Sequence, residues 1–459
     1  YGNDHFNQIN FAARLLPGRI HPVINYSFES SEKAYQFEHF TSGVEYGGEK
    51  LQTIVTIGRR EDHLNTEDAL VLLSRGYFSE FDLRFQTHKG WNQSLIYRKR
   101  IKTQMLEEKD LDYDLAQARI FFRRPNHPLR LDVKIKLEET LTENRATVYD
   151  SVGIGLGTYR YDPQFEEYVS DPNGAYIAYT ILTGSRKPTT QFEGIQRLEY
   201  DFGKRLNSKF KDIKYRLDWL WDFNGQNFSV NRYGEDDLNA STIIRSRSKL
   251  RHEWDYVNRT GRQIRTWWLG EKNLNNLDPR GADLRRNTEL AVDWLEPISA
   301  NTHAVIKLNQ HDANVESGFS HSRDRSAQGT WAEIGIKKRF SSLWQTEALL
   351  QNGYDAGQHQ MSNYSAALRG IRLDILHFFS SKGRLQGRFE WATVSLDGEA
   401  AFPPPEAVRG HALGDTRKVN VQGHILLRQN FSINVTINYI SDIRYDNFIN
   451  ITGEIRAYF

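Results

Sequence analysis

Cysteine is absent from the 459 residues. That absence excludes disulfide staples, thiolate zinc sites, iron–sulfur ligation and cysteine nucleophiles together. An excess of charge of either sign is missing as well. Sixty Lys and Arg stand against 58 Asp and Glu, a formal +2, so no global basic field exists to hold a polyanion, and nucleic acid is not an expected partner. Long apolar runs are also lacking: no stretch approaches the ~20 residues that a membrane helix needs, and mean hydropathy is −0.65. The start, Tyr1-Gly2-Asn3-Asp4, has neither the charged opening nor the apolar core of a signal peptide, so any leader is expected to have been removed or to lie upstream.

A helical membrane protein is therefore excluded, but a membrane β-barrel is not, because its apolar residues alternate with polar ones and are diluted by them. Hydrophobic residues make up 39% of the chain, and 25 Phe, 22 Tyr and 10 Trp are among them. Much of the apolar content is thus aromatic.

Period-2 alternation dominates. In Leu129-Arg130-Leu131-Asp132-Val133-Lys134-Ile135-Lys136-Leu137-Glu138 every odd residue is apolar and every even one charged, the signature of a strand with one greasy and one wet face. The pattern returns in Tyr215 to Phe223, in Leu250 to Tyr256, in Val419 to Leu427 and in Phe431 to Tyr439. Glycine-bearing turns such as Tyr46-Gly47-Gly48-Glu49, Thr87-His88-Lys89-Gly90, Asn258-Arg259-Thr260-Gly261 and Ser380-Ser381-Lys382-Gly383 separate the runs, which makes consecutive strands antiparallel neighbours. Longer polar connections are expected from Gly225 to Ala240, Glu271 to Asp283, Gln310 to Gly329 and Asp397 to Asp415, the last carrying Pro403-Pro404-Pro405. The expected fold is all-β: one large antiparallel transmembrane barrel over residues 1–459 with roughly 20–22 strands. An inserted segment over 143–190 is expected in the lumen or over one mouth.

That segment holds Gly153, Gly155 and Gly157, then Tyr159, Tyr161, Tyr168, Asp171, Asn173, Gly174 and Tyr176, which are the plug candidates. The glycine spacing is G-x-G-x-G with no strand-then-helix unit around it, so a dinucleotide loop is not expected. Asp162, Glu166, Glu167, Asp171 and Asn173 match no calcium-loop spacing and read as turn chemistry.

Aromatics near the ends of the apolar stripes, namely Tyr77, Phe81, Phe85, Trp267, Trp268, Trp294, Trp344, Phe389 and Trp391, suit the two girdles of a membrane barrel. The opposite face gathers charges of both signs: Arg130, Asp132, Lys134, Lys136, Glu138, Arg216, Asp218, Asp222, Arg251, Glu253, Asp255, Arg372, Asp374, Arg388 and Glu390, followed by Glu454 and Arg456. These are the candidate lumen charges. Two alternatives stand at this point: opposed ladders that select hydrophilic solutes, or ion pairs that satisfy one another. His252 lies in an apolar stripe, where packing explains it. Without a Gly-x-Ser-x-Gly elbow, a metal-ligand spacing or a phosphate loop, neither catalysis nor a cofactor nor a metal is expected.

The chain ends in alternation, with Ile449, Ile451, Gly453, Ile455, Ala457 and Phe459 on one face. This ending resembles the C-terminal assembly signal of bacterial outer-membrane β-barrel proteins. The resemblance implies an outer-membrane location among lipid and lipopolysaccharide, and insertion by the barrel-assembly machinery. The stretch Val152 to Tyr176 and the loop Phe402-Pro403-Pro404-Pro405-Glu406 are similar to the barrel region of large Bacteroidota-type outer-membrane proteins, which implies that the chain is the barrel end of a longer protein. The expected function is a polar, gated or plugged conduit. The alternative is a plugged barrel that anchors a surface or periplasmic protein assembly.

Overall fold

The computed structural model describes residues 6–457 apart from 17, 32–33, 66–68, 88, 106–110, 154–155, 164–166, 206–209, 233–237, 239–241, 278–280, 319–322, 380–381 and 429–430. The alternating runs become strands: β1 (Phe6–Arg14), β2 (Ile20–Ser31), β3 (Tyr35–Gly47), β4 (Leu51–Asn65), β5 (Leu70–Gln86), β6 (Trp91–Gln104), β7 (Leu111–Arg123) and β8 (Leu129–Ser151). A short pair follows, β9 (Gly157–Asp162) and β10 (Glu167–Gly174), then β11 (Tyr176–Asp201), β12 (Ile213–Gly225), β13 (Ile243–Val257), β14 (Gln263–Asn275) and β15 (Asp283–Ser299). The remainder are β16 (Thr302–Ser317), β17 (Arg325–Arg339), β18 (Trp344–His359), β19 (Ser362–Phe378), β20 (Gly383–Gly398), β21 (Gly414–Arg428), β22 (Phe431–Asp442) and β23 (Tyr445–Ala457).

All 23 strands belong to one antiparallel sheet. Neighbours in sequence are neighbours in space, except that β8 pairs with β11 and β9–β10 form a hairpin between them. Twenty-one strands thus make the meander, inside the expected range, and β1 and β23 are its two edges, running in the same direction. Among the described residues no helix is long and apolar enough to cross a membrane.

Cross-strand register sorts the side chains into two faces, because residues directly opposite each other share one. One face is predominantly aliphatic and aromatic and stays bare: Ile57, Leu350 and Ile451 are 62%, 64% and 65% exposed. Tyr77, Phe81, Phe85, Trp268, Trp294, Trp344, Phe389 and Trp391 lie on it. Trp267 does not. It faces the other way, where its indole N–H donates to Glu289 at 3.1 Å and Arg251 covers its ring at 5.4 Å. Its neighbour Trp268 holds the outward position in the alternation, and the pleat allows only one of two consecutive residues there. His252 packs in the apolar stripe as expected, with Tyr215 Oη 2.7 Å from its Nδ1.

The segment expected as an insertion is mostly continuous strand. Beyond Glu138 in β8 and before Thr190 in β11, the two strands pair only with each other, up to Ser151 opposite Tyr176. They form a two-stranded ribbon about 40 Å long at ~3.3 Å per residue. The β9–β10 hairpin caps it, joined through Tyr159 opposite Tyr176. At the tip Tyr168 stacks on Tyr149 (centroids 4.0 Å apart, 7° between planes) and meets Tyr161 and Tyr176 at 5.1 and 5.0 Å. Asp162 and Asp171, weighed as calcium ligands, both lie beside Arg160, at 3.6 and 3.5 Å. Gly155 and Phe459 lie outside the described residues.

The expected long connections shrink on inspection. Regular strand reaches Asn275 and Ser317 and resumes at Asp283 and Arg325, so the joins there are 276–282 and 318–324. The ribbon and the connections 226–242 and 399–413 all leave the same end of the sheet. Phe228 from 226–242 turns back over the outer face and stacks on Phe192 at 4.6 Å, burying Trp221, Phe223, Ile243 and Leu274.

Candidate functional site

All fifteen candidate lumen charges share the inner, polar face. Each has a partner. Arg130 meets Glu199 at 3.3 Å, Asp132 meets Arg119 at 3.0 Å, Lys134 meets Glu193 at 3.4 Å, and Lys136 pairs with Glu138. Asp218 takes Arg197 at 2.7 Å, Asp222 takes Arg245 at 2.6 Å and Asp255 takes Arg265 at 2.9 Å. Glu253 holds Arg216 and Arg251 at 3.0 and 2.6 Å, Asp374 joins Arg372 to Arg388 at 3.1 and 2.6 Å, and Glu390 accepts from Gln351 at 3.2 Å. Charges that neutralise one another at this range leave little net field, so the ladders mainly satisfy themselves.

Contacts between strands two apart are frequent on this face. Lys307 of β16 reaches Glu347 of β18 at 2.8 Å, and Arg372 of β19 reaches Glu333 of β17 at 3.0 Å. Adjacent strands lie ~4.8 Å apart, so side chains bridging two strand intervals fit a face that is concave.

The 399–413 connection seats on that concave face. The seat is built from small residues: Ala327, Gly329, Gly353, Ala366 and Ala392, buried or stripped of side chain, leave room above β17–β20. Two glycines are required by close approach. A Cβ on Gly353 would stand 2.7 Å from the Trp331 indole, and one on Gly329 would stand 1.6 Å from Asp355 Oδ1. Into the space drop Ala407 and Val408, both fully buried.

The backbone there is strained: Val408 and Arg409 hold φ of 43° and 51° ahead of Gly410 at 72°. A left-handed β-branched residue is a genuine outlier and costs on the order of 1–3 kcal/mol. Three polar locks offset it. The Val408 N–H donates to buried Asp355 Oδ2 at 2.6 Å. The Arg409 guanidinium lies 4.4 Å from the centroid of the Trp331 ring and donates to Glu333 Oε1 at 2.7 Å. Arg325 grips Glu406 through two N–H bonds of 2.7 and 2.9 Å.

Glu333 is 1% exposed and also accepts from Arg372 at 3.0 Å and Gln351 at 3.1 Å. A buried carboxylate is tolerable only with such satisfaction. Burial would raise the Glu406 carboxyl, but the Arg325 guanidinium outweighs it and holds the group below its ordinary range. The sequence alone points to the prolines of this connection and to Arg372 and Glu390, but not to Glu333, Asp355, Trp331, Arg325 or Arg409. Each of those is an ordinary residue of an ordinary strand or loop until the fold brings them together.

Among the described residues no other cluster builds a comparable site. Asp112, Asp114 and Glu139 come within reach of one another, but Lys99 already pairs with the first two at 3.2 Å.

No protein-family model and no curated protein matches the chain. Among solved structures it is similar in fold to the siderophore receptor PirA from Pseudomonas aeruginosa, at 9% identity and a TM-score of 0.41 over 96% of this chain and 74% of that one. It is also similar to the outer membrane transporter YddB from Escherichia coli, at 7% and 0.39 over 98% and 74%. The ferric-catecholate import receptor Fiu of Escherichia coli K12 gives 8% and 0.35 over 98% and 79%. At such identities no residue role passes from those proteins to this chain.

Proposed function

We propose that the chain spans a bacterial outer membrane and forms a polar conduit for hydrophilic solutes, narrowed by the 399–413 segment. One observation carries the reading: the sheet is inverted relative to a water-soluble one. Its ion-paired face is concave and receives a folded segment, while Ile57, Leu350, Ile451 and their like stand bare on the other. An apolar surface running across successive strands is unstable in water and suits lipid. The conduit works by passive passage through a wetted interior, without bond chemistry. Folded protein reconstituted into liposomes tests it, by swelling in isotonic sugars of graded size: swelling that falls with solute size supports the reading, and none with any sugar sinks it.

A second reading has its own observation. The ribbon projects beyond the sheet, and Ile177, Tyr179 and Ile181 on its β11 strand are 41%, 43% and 42% exposed. That arm suits a barrel that docks a surface or periplasmic protein. Removal of the ribbon leaves solute passage intact under the first reading and abolishes partner capture under the second.

A further inference from the structure

We propose that the cavity between the 399–413 segment and the inner face of β15–β17 is a binding site for a small oxyanion, a solute carrying a carboxylate or phosphate group. The cavity measures about 510 Å³, within the range of small-molecule sites. Its chemistry follows from which polar groups are already spent.

Both acids on its wall are satisfied. Glu289 accepts from the Trp267 indole N–H at 3.1 Å and from the Asn309 amide at 2.6 Å, and Glu406 is gripped twice by Arg325. A cationic ligand would find no carboxylate free to receive it. The donors are in surplus. Arg285 lines the same wall and makes no hydrogen bond among the described residues; its charge reaches Glu406 only at longer range, so its fork of donors stays open. Asn287, next on the same face of β15, lines the cavity with it. Trp331 is 3% exposed, and its indole N–H has no acceptor, a deficit of about 1–3 kcal/mol for a buried polar group. Arg409, committed to Glu333, closes the cavity beside Trp331 and adds a second positive charge.

A guanidinium with its hydrogen-bonding fork open, an amide and an unsatisfied indole N–H call for an oxygen-rich anion. The planar fork of Arg285 matches carboxylate and phosphate in the same bidentate way. The site deepens the conduit reading and rests on it only for the ligand's route of entry.

Binding is tested by isothermal titration of the full chain in detergent micelles, with inorganic phosphate in one arm and succinate in the other, at constant ionic strength. Saturable heat to a single site is expected in at least one arm, and which arm responds tells phosphate from carboxylate. Arg285 is solvent-exposed on the inner face, so Arg285→Gln is expected to fold and to weaken binding about tenfold or more. Arg285→Lys, which keeps the charge and loses the fork, falls between, and Trp331→Phe, which removes the indole N–H, weakens binding independently. Heat-modifiable gel migration checks each variant's fold. Absence of saturable heat in both arms, or Arg285→Gln binding as tightly as the parent, overturns the proposal. Solute passage without binding sinks the site and spares the conduit. Binding without passage does the reverse.

Discussion

The backbone N–H of Val408 donates to the buried carboxylate of Asp355 at 2.6 Å, across 53 residues of sequence. This bond holds a left-handed, fully buried valine against the inner wall. Asp355 has room for its carboxylate because the residue opposite, Gly329, has no side chain.

Asp355→Ala removes the acceptor and leaves a buried N–H unpaired, at a cost of about 1–3 kcal/mol. The segment is then expected to leave its seat while the sheet stays folded. Limited proteolysis checks this: cleavage within 399–413 speeds up, with cleavage elsewhere unchanged.

Gly353→Ala places a methyl 2.7 Å from the Trp331 indole. Overpacking of this kind costs about 1–3 kcal/mol, and the displaced ring takes its Arg409 partner with it. A lower temperature of heat-modifiable unfolding is expected, together with faster cleavage of the segment. Gly387, on the outer face of β20 with open space around its Cβ position, is the control: Gly387→Ala should do neither.

The Glu406 carboxyl titrates below its ordinary value of 4.5 because Arg325 holds its charged form against the opposing effect of burial. A depressed folded pKa means that the stabilisation is fully present above that ordinary value and is lost as pH falls through the folded one. The seat therefore holds at neutral pH and loosens under acid below pH 4.5. With no native cysteine, Pro405→Cys gives a unique labelling site on the segment. A spin label there is expected to gain mobility on acidification, and in an Arg325→Gln background to be mobile already at neutral pH.

Ile334 stands on the outer face, 55% exposed. If that face meets lipid, Ile334→Arg costs about 2–4 kcal/mol of membrane folding stability at mid-depth. Urea titration of the chain refolded into phosphatidylcholine vesicles measures it. An unchanged midpoint would place this face in water.

The strands were legible because alternation is local: each residue's own neighbours reveal its face, and the Leu129 to Glu138 run shows this without any partner. Glycine turns supplied the antiparallel order for the same reason. The ribbon was harder to read. Its strands keep alternating apolar residues such as Ile177, Tyr179 and Ile181 beyond Glu138, so nothing local tells that β7 and β12 have stopped pairing with them. Trp267 and Trp268 show a further limit, since two adjacent aromatics cannot both face outward and composition does not say which does.

The seat was hidden in a different way. Glu333, Trp331, Asp355 and Arg409 become a site only when β17, β18 and the loop after β20 meet, and Arg325 finds Glu406 81 residues away. The charged residues legible in the sequence are paired, mostly with partners such as Arg119, Glu193, Arg197 and Glu199 on neighbouring strands. Arg285, which lines the cavity, sits only two residues into β15, beside a stretch that reads as loop.

The most direct test of a conduit narrowed by the 399–413 segment is single-channel recording in planar bilayers, comparing the full chain with a variant in which 399–413 is replaced by a short Gly/Ser turn. Small discrete conductance steps are expected from the full chain and larger ones from the variant. Silence from both, with heat-modifiable migration showing that both are folded, would contradict the account.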